Sequence, residues 1–331
     1  MINVNRKLYD YIYNDMGAEY YQNYKDVMIN VDNDNEKNLK YLGTYFPRSF
    51  KEAYTIYDNI FSNGYIYNEF SSKHIINILD IGSGTGGNLI GLLQILCEKF
   101  NNKEINIISV DGNKNALELQ KKLIDNIKDF VNLNGNRIKY KFHIMKFENK
   151  DEIELKLKKI MSSSSMDIIH SFKFLNELYN MDYDKNKGSY KNILKLGELY
   201  LKNNGLLCLV DVTSKVNNRE FMSIIINKEC REYLKENTSN LNYIIPLCCA
   251  LNYNECVRPN SCFSRYQINT RYELWNDLSK ISYKLFIKDP LGNLVLDEIY
   301  KDCCDEIGSC HCLDSTIDNN CTKLKDQPYC L

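Results

Sequence analysis

The stretch Asn77-Ile-Leu-Asp-Ile-Gly-Ser-Gly-Thr-Gly-Gly87 decides the fold of this chain. The apolar, β-branched run from Ile75 to Ile81 predicts a buried strand, and the glycines after it predict a tight turn. Apolar residues at helical spacing resume at Leu89. A strand, a glycine-rich turn and a helix in this order form a cradle for a nucleotide-type ligand, because glycine lets the backbone approach the ligand and the helix N-terminus offers N–H groups. An ordinary βα turn that is rich in glycine is the alternative.

Further predicted strands alternate with helices along the chain. Four apolar segments downstream of the glycine turn are predicted strands: 105–111, 137–145, 166–172 and 206–212. Segments of helical periodicity separate them, and one helix is expected to end at Asn203-Asn-Gly205. This alternation predicts an α/β fold with a doubly wound, Rossmann-like sheet.

The region before the first strand is predicted to be helical. The polar tract Asn30–Asn38 predicts a solvated loop, and apolar spacing predicts a helix over residues 51–61. Ser49 is a candidate N-cap of this helix, with Glu52 as its capping-box partner. A helix at this place commonly folds over a nucleotide site, where Arg48 would meet a carboxylate; a surface arginine is the alternative.

An acid ends the second predicted strand. Asp111 follows the glycine turn by about one βα unit. At this separation a carboxylate can accept hydrogen bonds from both ribose hydroxyls of a nucleotide. An aspartate that only caps the next helix is the alternative, and the upstream glycines favour the ribose interpretation.

The segment Asp80-Ile-Gly-Ser-Gly-Thr-Gly86 lacks the Gly-x-Gly-x-x-Gly spacing of nicotinamide sites. It resembles the first motif of class I S-adenosylmethionine-dependent methyltransferases. The resemblance covers residues 75–215 and includes Val110-Asp111, the segment 167–178 and the segment 201–210. It implies a methyltransferase that binds S-adenosylmethionine.

The resemblance also implies roles for individual residues. The glycines would shape the loop around the methionine part of the cofactor, Asp80 would orient the loop or reach the amino group, and Asp111 would hold the ribose. Phe147 or Glu148 would border the adenine, and Ser171 would line the site near the reactive methyl. The implied cofactor-binding set is Asp80, Gly82, Ser83, Gly84, Gly86, Asp111, Phe147, Glu148 and Ser171.

Methyl transfer from a sulfonium is an in-line displacement, so positioning can supply much of the catalysis. A general base is needed only if the acceptor carries a proton that must leave. His170 is a candidate for that base, because histidine titrates near neutrality, and a packing role is the alternative. The fourth strand ends without the Asn/Asp-Pro-Pro-Tyr pattern of enzymes that methylate amino groups of nucleic acids, and without the Pro-Cys of cytosine-C5 methylation.

The cysteines concentrate in the last third of the chain. Cys97 and Cys208 lie in apolar runs and are predicted to be buried structural thiols, whereas eleven of the 13 cysteines lie between Cys230 and Cys330. In a reducing compartment such a cluster suggests metal binding more than disulfides, and thiolates suit zinc or an iron–sulfur cluster. Unpaired thiols are the alternative.

The chain therefore divides into a helical N-terminal extension (1–70), an S-adenosylmethionine-binding domain (71–240) and a Cys-rich, metal-binding module (241–331).

The order of residues in this module resembles the methyltransferase-like family associated with the mitochondrial and bacterial small ribosomal subunit. Matching positions, in order, are Cys249, Cys256, Cys262-Phe263, Arg265 and Ile281-Ser282-Tyr283, with Ile281 in place of the family's Phe. The Pro and His that follow the first cysteine in that family are Ala250 and Leu251 here, and no His separates Cys262 from Phe263. The resemblance implies a four-iron, four-sulfur cluster held by Cys249, Cys256, Cys262 and a fourth cysteine. Cys312 is favoured over the other candidates, Cys303, Cys304, Cys310 and Cys321.

The charge pattern bears on the partners. The formal net charge is −1, with acidic and basic residues interspersed, which counts against a long phosphate-contacting surface. The sequence begins without the apolar core of a signal peptide and contains no run of about 18 apolar residues, so a cytoplasmic protein without membrane contact is expected, with an organelle matrix as the alternative if a presequence is removed. The acceptor stays open between small-subunit RNA, a protein or peptide, and a small molecule. A non-catalytic, cofactor-binding ribosome assembly factor is the alternative function.

Overall fold

The computed structural model describes residues 6–21, 32–161, 165–216, 218–245, 266–269 and 278–303. The helices are α1 (Arg6–Asp10), α2 (Asn35–Ile60), α3 (Gly64–Ser72), α4 (Gly87–Lys99), α5 (Lys114–Asp125), α6 (Lys150–Met161), α7 (Leu175–Met181), α8 (Tyr183–Asn186), α9 (Ser189–Tyr200), α10 (Met222–Glu236) and α11 (Leu291–Cys303). The strands are β1 (Ile75–Ile81), β2 (Glu104–Asp111), β3 (Arg137–Ile144), β4 (Met166–Phe172), β5 (Leu201–Val212), β6 (Lys215–Val216), β7 (Glu220–Phe221), β8 (Leu241–Ile245), β9 (Tyr266–Asn269) and β10 (Leu278–Lys288). Across these ranges, no helix combines the length and the apolar character needed to cross a membrane.

In the first unit the strand order is β3-β2-β1, and in the second unit it is β4-β5-β10-β8. Strand β2 is parallel to β1 and β3, and β4 is parallel to β5. Strand β10 is antiparallel to β5 and β8. This topology agrees with the predicted α/β, Rossmann-like fold class, and each predicted strand is present.

The chain forms two compact units. The first unit comprises Met1–Ser62, Phe70–Lys146 and Ile268–Ser279, and therefore contains β1, β2 and β3. The second unit comprises Asn63–Glu69, Phe147–Gln267 and Lys280–Leu331, and contains β4, β5 and β8. The division 1–70, 71–240 and 241–331 stays a prediction.

In the first unit, α2 packs closely on α4. A Cβ atom at Gly87 would lie 2.8 Å from the carbonyl oxygen of Phe46, and one at Gly91 would lie 2.5 Å from that of Phe50. Only glycine permits this approach of the two helices. Since α4 follows the glycine loop directly, the packing fixes the position where that loop ends.

Helix α2 begins earlier than the sequence analysis predicted. Asp34 is its N-cap, and the side chain of Asp34 accepts a hydrogen bond from the N–H of Lys37 at 2.9 Å. The predictions that residues up to Asn38 form a loop and that Ser49 is an N-cap are therefore wrong. A single strong cap outweighs the polar composition of the first turns.

Pro47 lies inside α2 and cannot donate to the carbonyl of Gly43. The Tyr13 hydroxyl donates to that carbonyl instead. A residue from another segment of the first unit thus replaces the missing backbone hydrogen bond, so the helix continues through the proline.

In the second unit, the expected helix end at residues 203–205 is wrong. Helix α9 ends at Tyr200, and these residues belong to β5. The register between β4 and β5 shifts between Met166 and Ile168, and Asn204 has φ +67°. Asn and Gly, which favour turns, here occupy an irregular stretch of β5 that has more residues than the part of β4 it faces.

Candidate cofactor site

The glycine loop joins β1 to α4 in the first unit and is hydrogen-bonded to the end of β2. The N–H groups of Gly82 and Ser83 donate to the Val110 carbonyl at 2.9 and 3.2 Å. Gly82, Gly84 and Gly86 have φ values of +71°, +53° and +88°. This left-handed region costs other residues energy, so the loop needs all three glycines.

Asp111 closes the loop from the end of β2. The N–H of Gly84 donates to its Oδ2 and the N–H of Asn113 donates to its Oδ1, both at 2.8 Å. Burial raises the pKa of Asp111 to about 6, against the lowering effect of these two N–H groups. The charge of Asp80 raises that pKa further. Each carboxylate oxygen has a second lone pair, so Asp111 can accept hydrogen bonds from ligand hydroxyls while it holds the loop.

Gln120 of α5 supports the loop and was missed by the sequence analysis. The Ser83 hydroxyl donates to Gln120 Oε1 at 3.0 Å, and Gln120 Nε2 donates to Ser109 Oγ at 3.2 Å. A Cβ on Gly86 would lie 2.6 Å from Gln120 Cγ. The only sequence signal for Gln120 is a polar residue on the otherwise apolar face of an amphipathic helix.

The first unit brings six predicted site residues together along β1, the loop and the end of β2: Asp80, Gly82, Ser83, Gly84, Gly86 and Asp111. Asp80 is fully buried near the end of β1. The other predicted site residues belong to the second unit.

Phe147 and Glu148, the predicted adenine neighbours, differ in exposure. Phe147 is buried, and its ring lies edge-on to Phe174 with 5.6 Å between ring centroids. Glu148 is exposed, and its N–H donates to Glu152 Oε2 at 3.0 Å. An apolar ring such as that of Phe147 suits contact with a flat heterocycle.

Ser171 and His170 are neighbours on β4 and point to opposite faces of the strand. Ser171 is buried, and its Oγ has no hydrogen-bond partner among the residues that the structure describes. A buried hydroxyl left in this way is suited to a ligand contact. His170 is completely buried, and its ring lies edge-on to Phe172 at 5.3 Å. This is the environment of a packed side chain, and a role of His170 as a base stays a prediction.

Asp211 near the end of β5 is a second buried acid that the sequence analysis missed. The Tyr190 hydroxyl donates to Asp211 Oδ2 at 2.7 Å, and the N–H of Asn176 donates to the same oxygen at 3.2 Å. Burial raises the pKa of Asp211 to about 6. Because Asn176 lies in the first turn of α7, Asp211 fixes the chain just after β4. Its sequence signal is an acid in a run that is otherwise apolar.

The predicted metal ligands Cys249, Cys256, Cys262 and Cys312 lie outside the described residues. Within the described ranges, no three His, Cys, Asp or Glu side chains group to hold a metal ion. Cys97 and Cys208 are buried, as predicted. Burial raises the pKa of Cys97 to about 11, which disfavours the thiolate that a metal needs.

The loop and its acid define a nucleotide-type cofactor site on an α/β sheet, and comparison with known proteins identifies the class. A family model described as a methyltransferase domain matches residues 72–280. The chain belongs to this methyltransferase domain family, and it is an S-adenosylmethionine-dependent methyltransferase. No curated protein matches the chain.

The solved structures to which the chain is similar include three methyltransferases. The plantazolicin methyltransferase BpumL in complex with SAH has 14% identity and a TM-score of 0.40, with 86% of this chain and 95% of that chain covered. An S-adenosylmethionine-dependent methyltransferase from Clostridium acetobutylicum has 14% identity and a TM-score of 0.38, with 84% and 99% covered. One from Aquifex aeolicus has 12% identity and a TM-score of 0.38, with 77% and 99% covered. Scores this low carry no inference about substrate.

Proposed function

We propose that this methyltransferase transfers the methyl group of S-adenosylmethionine to a peptide or a small molecule. The observation that carries the cofactor assignment is the pair of hydrogen bonds from Gly84 and Asn113 to Asp111. The acceptor class is favoured by the net charge of −1 with both signs interspersed, because a protein that contacts many phosphates needs a basic surface. Small-subunit RNA is the competing acceptor.

The cofactor supplies an activated methyl group on a sulfonium, and the chain binds and orients it. Asp111 accepts hydrogen bonds from the ribose hydroxyls, and the glycine loop with Asp80 surrounds the methionine part. The buried Phe147 ring or the Glu148 side chain borders the adenine. The Ser171 hydroxyl, which lacks a partner among the described residues, lines the site near the methyl group.

Positioning is the main source of catalysis in this proposal, since an in-line displacement needs no nucleophile on the protein. An acceptor that must lose a proton needs a base as well. His170 in β4 is the candidate for that base. Because this histidine is completely buried, the proton of the acceptor would have to reach it inside the protein.

A Cys-ligated metal site is a further part of the proposal. It is supported by the order of Cys249, Cys256 and Cys262 in the sequence, with Cys312 as the fourth ligand. Thiolate ligands suit an iron–sulfur cluster or zinc. The cluster assignment rests on the resemblance to the small-subunit-associated family.

The decisive experiment measures tritium transfer from S-adenosyl-[methyl-³H]methionine in the presence of separate acceptor pools. The pools are a peptide fraction, a small-molecule fraction and purified small ribosomal subunits from the source cells. We expect label in the peptide or small-molecule fraction, and much less label with D111N at the same subsaturating concentration of cofactor. Label in ribosomal RNA alone would overturn the proposed acceptor class. Tight cofactor binding without transfer to any pool would favour the non-catalytic assembly factor.

A further inference from the structure

A buried cluster of three asparagines joins the beginning of α2 to the turn after β2. Asn33, Asn38 and Asn113 are 7%, 0% and 3% exposed. Asn38 Nδ2 donates to the Asn33 carbonyl at 3.0 Å and to Asn113 Oδ1 at 3.2 Å. Asn113 Nδ2 donates to the same Asn33 carbonyl at 3.0 Å. All three residues belong to the first unit.

Asn113 connects this cluster to the cofactor acid. Its backbone N–H donates to Asp111 Oδ1 at 2.8 Å, and its side-chain oxygen accepts from the N–H of Ala116 at 3.0 Å. The side chain of Asn113 is therefore held at both ends. The same residue carries the backbone N–H that donates to Asp111.

The role of Asn113 as the N-cap of α5 explains why an asparagine lies at position 113. It does not explain why an asparagine is buried at position 38. A buried amide costs free energy unless it is hydrogen-bonded, and asparagine is a poor helix former. Among the residues that the structure describes, the side-chain hydrogen bonds that offset this cost for Asn38 are those to Asn33 and Asn113. An exposed ion pair between Asp32 and Lys146, at 3.0 Å, also ties the start of this segment to the end of β3.

We propose that Asn38 is a positioning residue for cofactor binding. Asn38 holds Asn113, the N–H of Asn113 holds Asp111, and the beginning of α2 thereby becomes part of ribose recognition. The inference rests on the proposed role of Asp111 at the ribose. It adds a residue that lies 75 positions from Asn113 in the sequence and that the cofactor motifs do not contain.

Calorimetric titration of the full-length protein with S-adenosylhomocysteine tests this proposal. We expect N38A to weaken binding about tenfold, the effect of one well-placed hydrogen bond to a charged group. N136A is the matched control, because Asn136 is equally buried in the same unit and makes two hydrogen bonds, with Lys103 N and Phe100 O, at the other end of the sheet. N136A should lower the melting temperature and leave affinity within twofold of wild type.

A second variant and a second ligand separate positioning from stability. N113S keeps a side-chain cap for α5 but loses the amide contacts of the cluster, so it should weaken binding as N38A does. The analogue of S-adenosylhomocysteine with a 2′-deoxyribose lacks one partner of Asp111. Wild type should prefer the parent ligand, and this preference should shrink severalfold in both variants.

Three results would overturn the inference. The first is that N38A and N113S bind S-adenosylhomocysteine with wild-type affinity. The second is that both variants bind the two ligands equally more weakly, so that the preference for the parent ligand is unchanged. In both cases binding by wild type leaves the proposed function standing. Failure of the wild-type protein to bind S-adenosylhomocysteine at all would instead overturn the proposed function together with the inference.

Discussion

The backbone N–H of Gly84 donates to Asp111 Oδ2 at 2.8 Å, so the glycine loop and the acid of β2 form one hydrogen-bonded unit. The two residues are 27 positions apart. Two motifs that look independent in the sequence are thus mechanically joined, and each fixes the conformation of the other before a ligand binds. This pre-organisation lowers the conformational cost of binding.

Replacing Asp111 by Asn is expected to weaken S-adenosylhomocysteine binding at least tenfold, since an amide offers one acceptor atom where the carboxylate offers two. The same change should leave the stability of the ligand-free protein at pH 7.5 roughly unchanged, because relief of the buried charge is offset by one backbone N–H that the amide NH₂ cannot accept. When the pKa of a carboxyl rises from 3.8 to about 6 on folding, ionising that carboxyl lowers the stability of the folded protein by about 3 kcal/mol. Calorimetric titration and thermal melts measure the two effects. D125N changes an exposed acid of α5 and should alter neither; a marked loss of stability in D111N would contradict the prediction.

Affinity for S-adenosylhomocysteine is expected to fall as the pH drops through about 6. Only the ionised carboxylate of Asp111 uses both oxygens as acceptors, and its pKa of about 6 leaves roughly a tenth of it ionised at pH 5. The stability of the ligand-free protein depends on pH in the opposite direction. A carboxyl with a raised folded-state pKa contributes stability that is fully present below its unfolded pKa and is lost as the pH rises through 6.

Titrations between pH 5 and 8 test the affinity profile, and D111N supplies the control. The variant should show no inflection near pH 6. An identical inflection in wild type and D111N would assign the titration to another group, for example Asp211, whose pKa is also raised to about 6 by burial.

Substitution of Gly86 by Ala should destabilise the protein by about 2 kcal/mol or more and weaken cofactor binding. The left-handed φ of +88° alone costs about 1–2 kcal/mol, and the new Cβ would meet Gln120 Cγ at 2.6 Å. Adding Q120A should recover the steric part and leave the cost of the backbone conformation. Urea denaturation measures both, and G64A serves as the comparison, because a Cβ at Gly64 meets nothing within 4 Å.

Removal of the Tyr13 hydroxyl tests how α2 passes through Pro47. Y13F should cost about 1 kcal/mol, because it leaves the Gly43 carbonyl without its donor. In a P47A background residue 47 regains an N–H, so the same change should cost less. A double-mutant cycle by urea denaturation gives the difference. Equal costs in the two backgrounds would show that the hydroxyl does not replace the backbone bond.

The Cys-rich segment is expected to hold metal when the protein is purified anaerobically. Elemental analysis with a visible absorption spectrum distinguishes iron–sulfur from zinc, and C249S, C256S, C262S and C312S should each lower the metal content. C97S is the control, because the thiol of Cys97 is buried and its pKa is raised to about 11. Colourless wild-type protein without metal would rule out the proposed site.

The sequence by itself determined the strand–loop–helix cradle, the alternation of strands and helices, and the family. These follow from short-range patterns: apolar periodicity within each element, glycines where φ is positive, and an acid one βα unit beyond them. Only the tertiary structure decided which residues support the cradle. Gln120 is hydrogen-bonded to Ser83, and Asn38 to Asn113. The Tyr13 hydroxyl donates to the Gly43 carbonyl, and Asp211 accepts a hydrogen bond from the first turn of α7. Each of these contacts joins segments far apart along the chain, and a hydrogen bond between such segments depends on packing that no local pattern encodes.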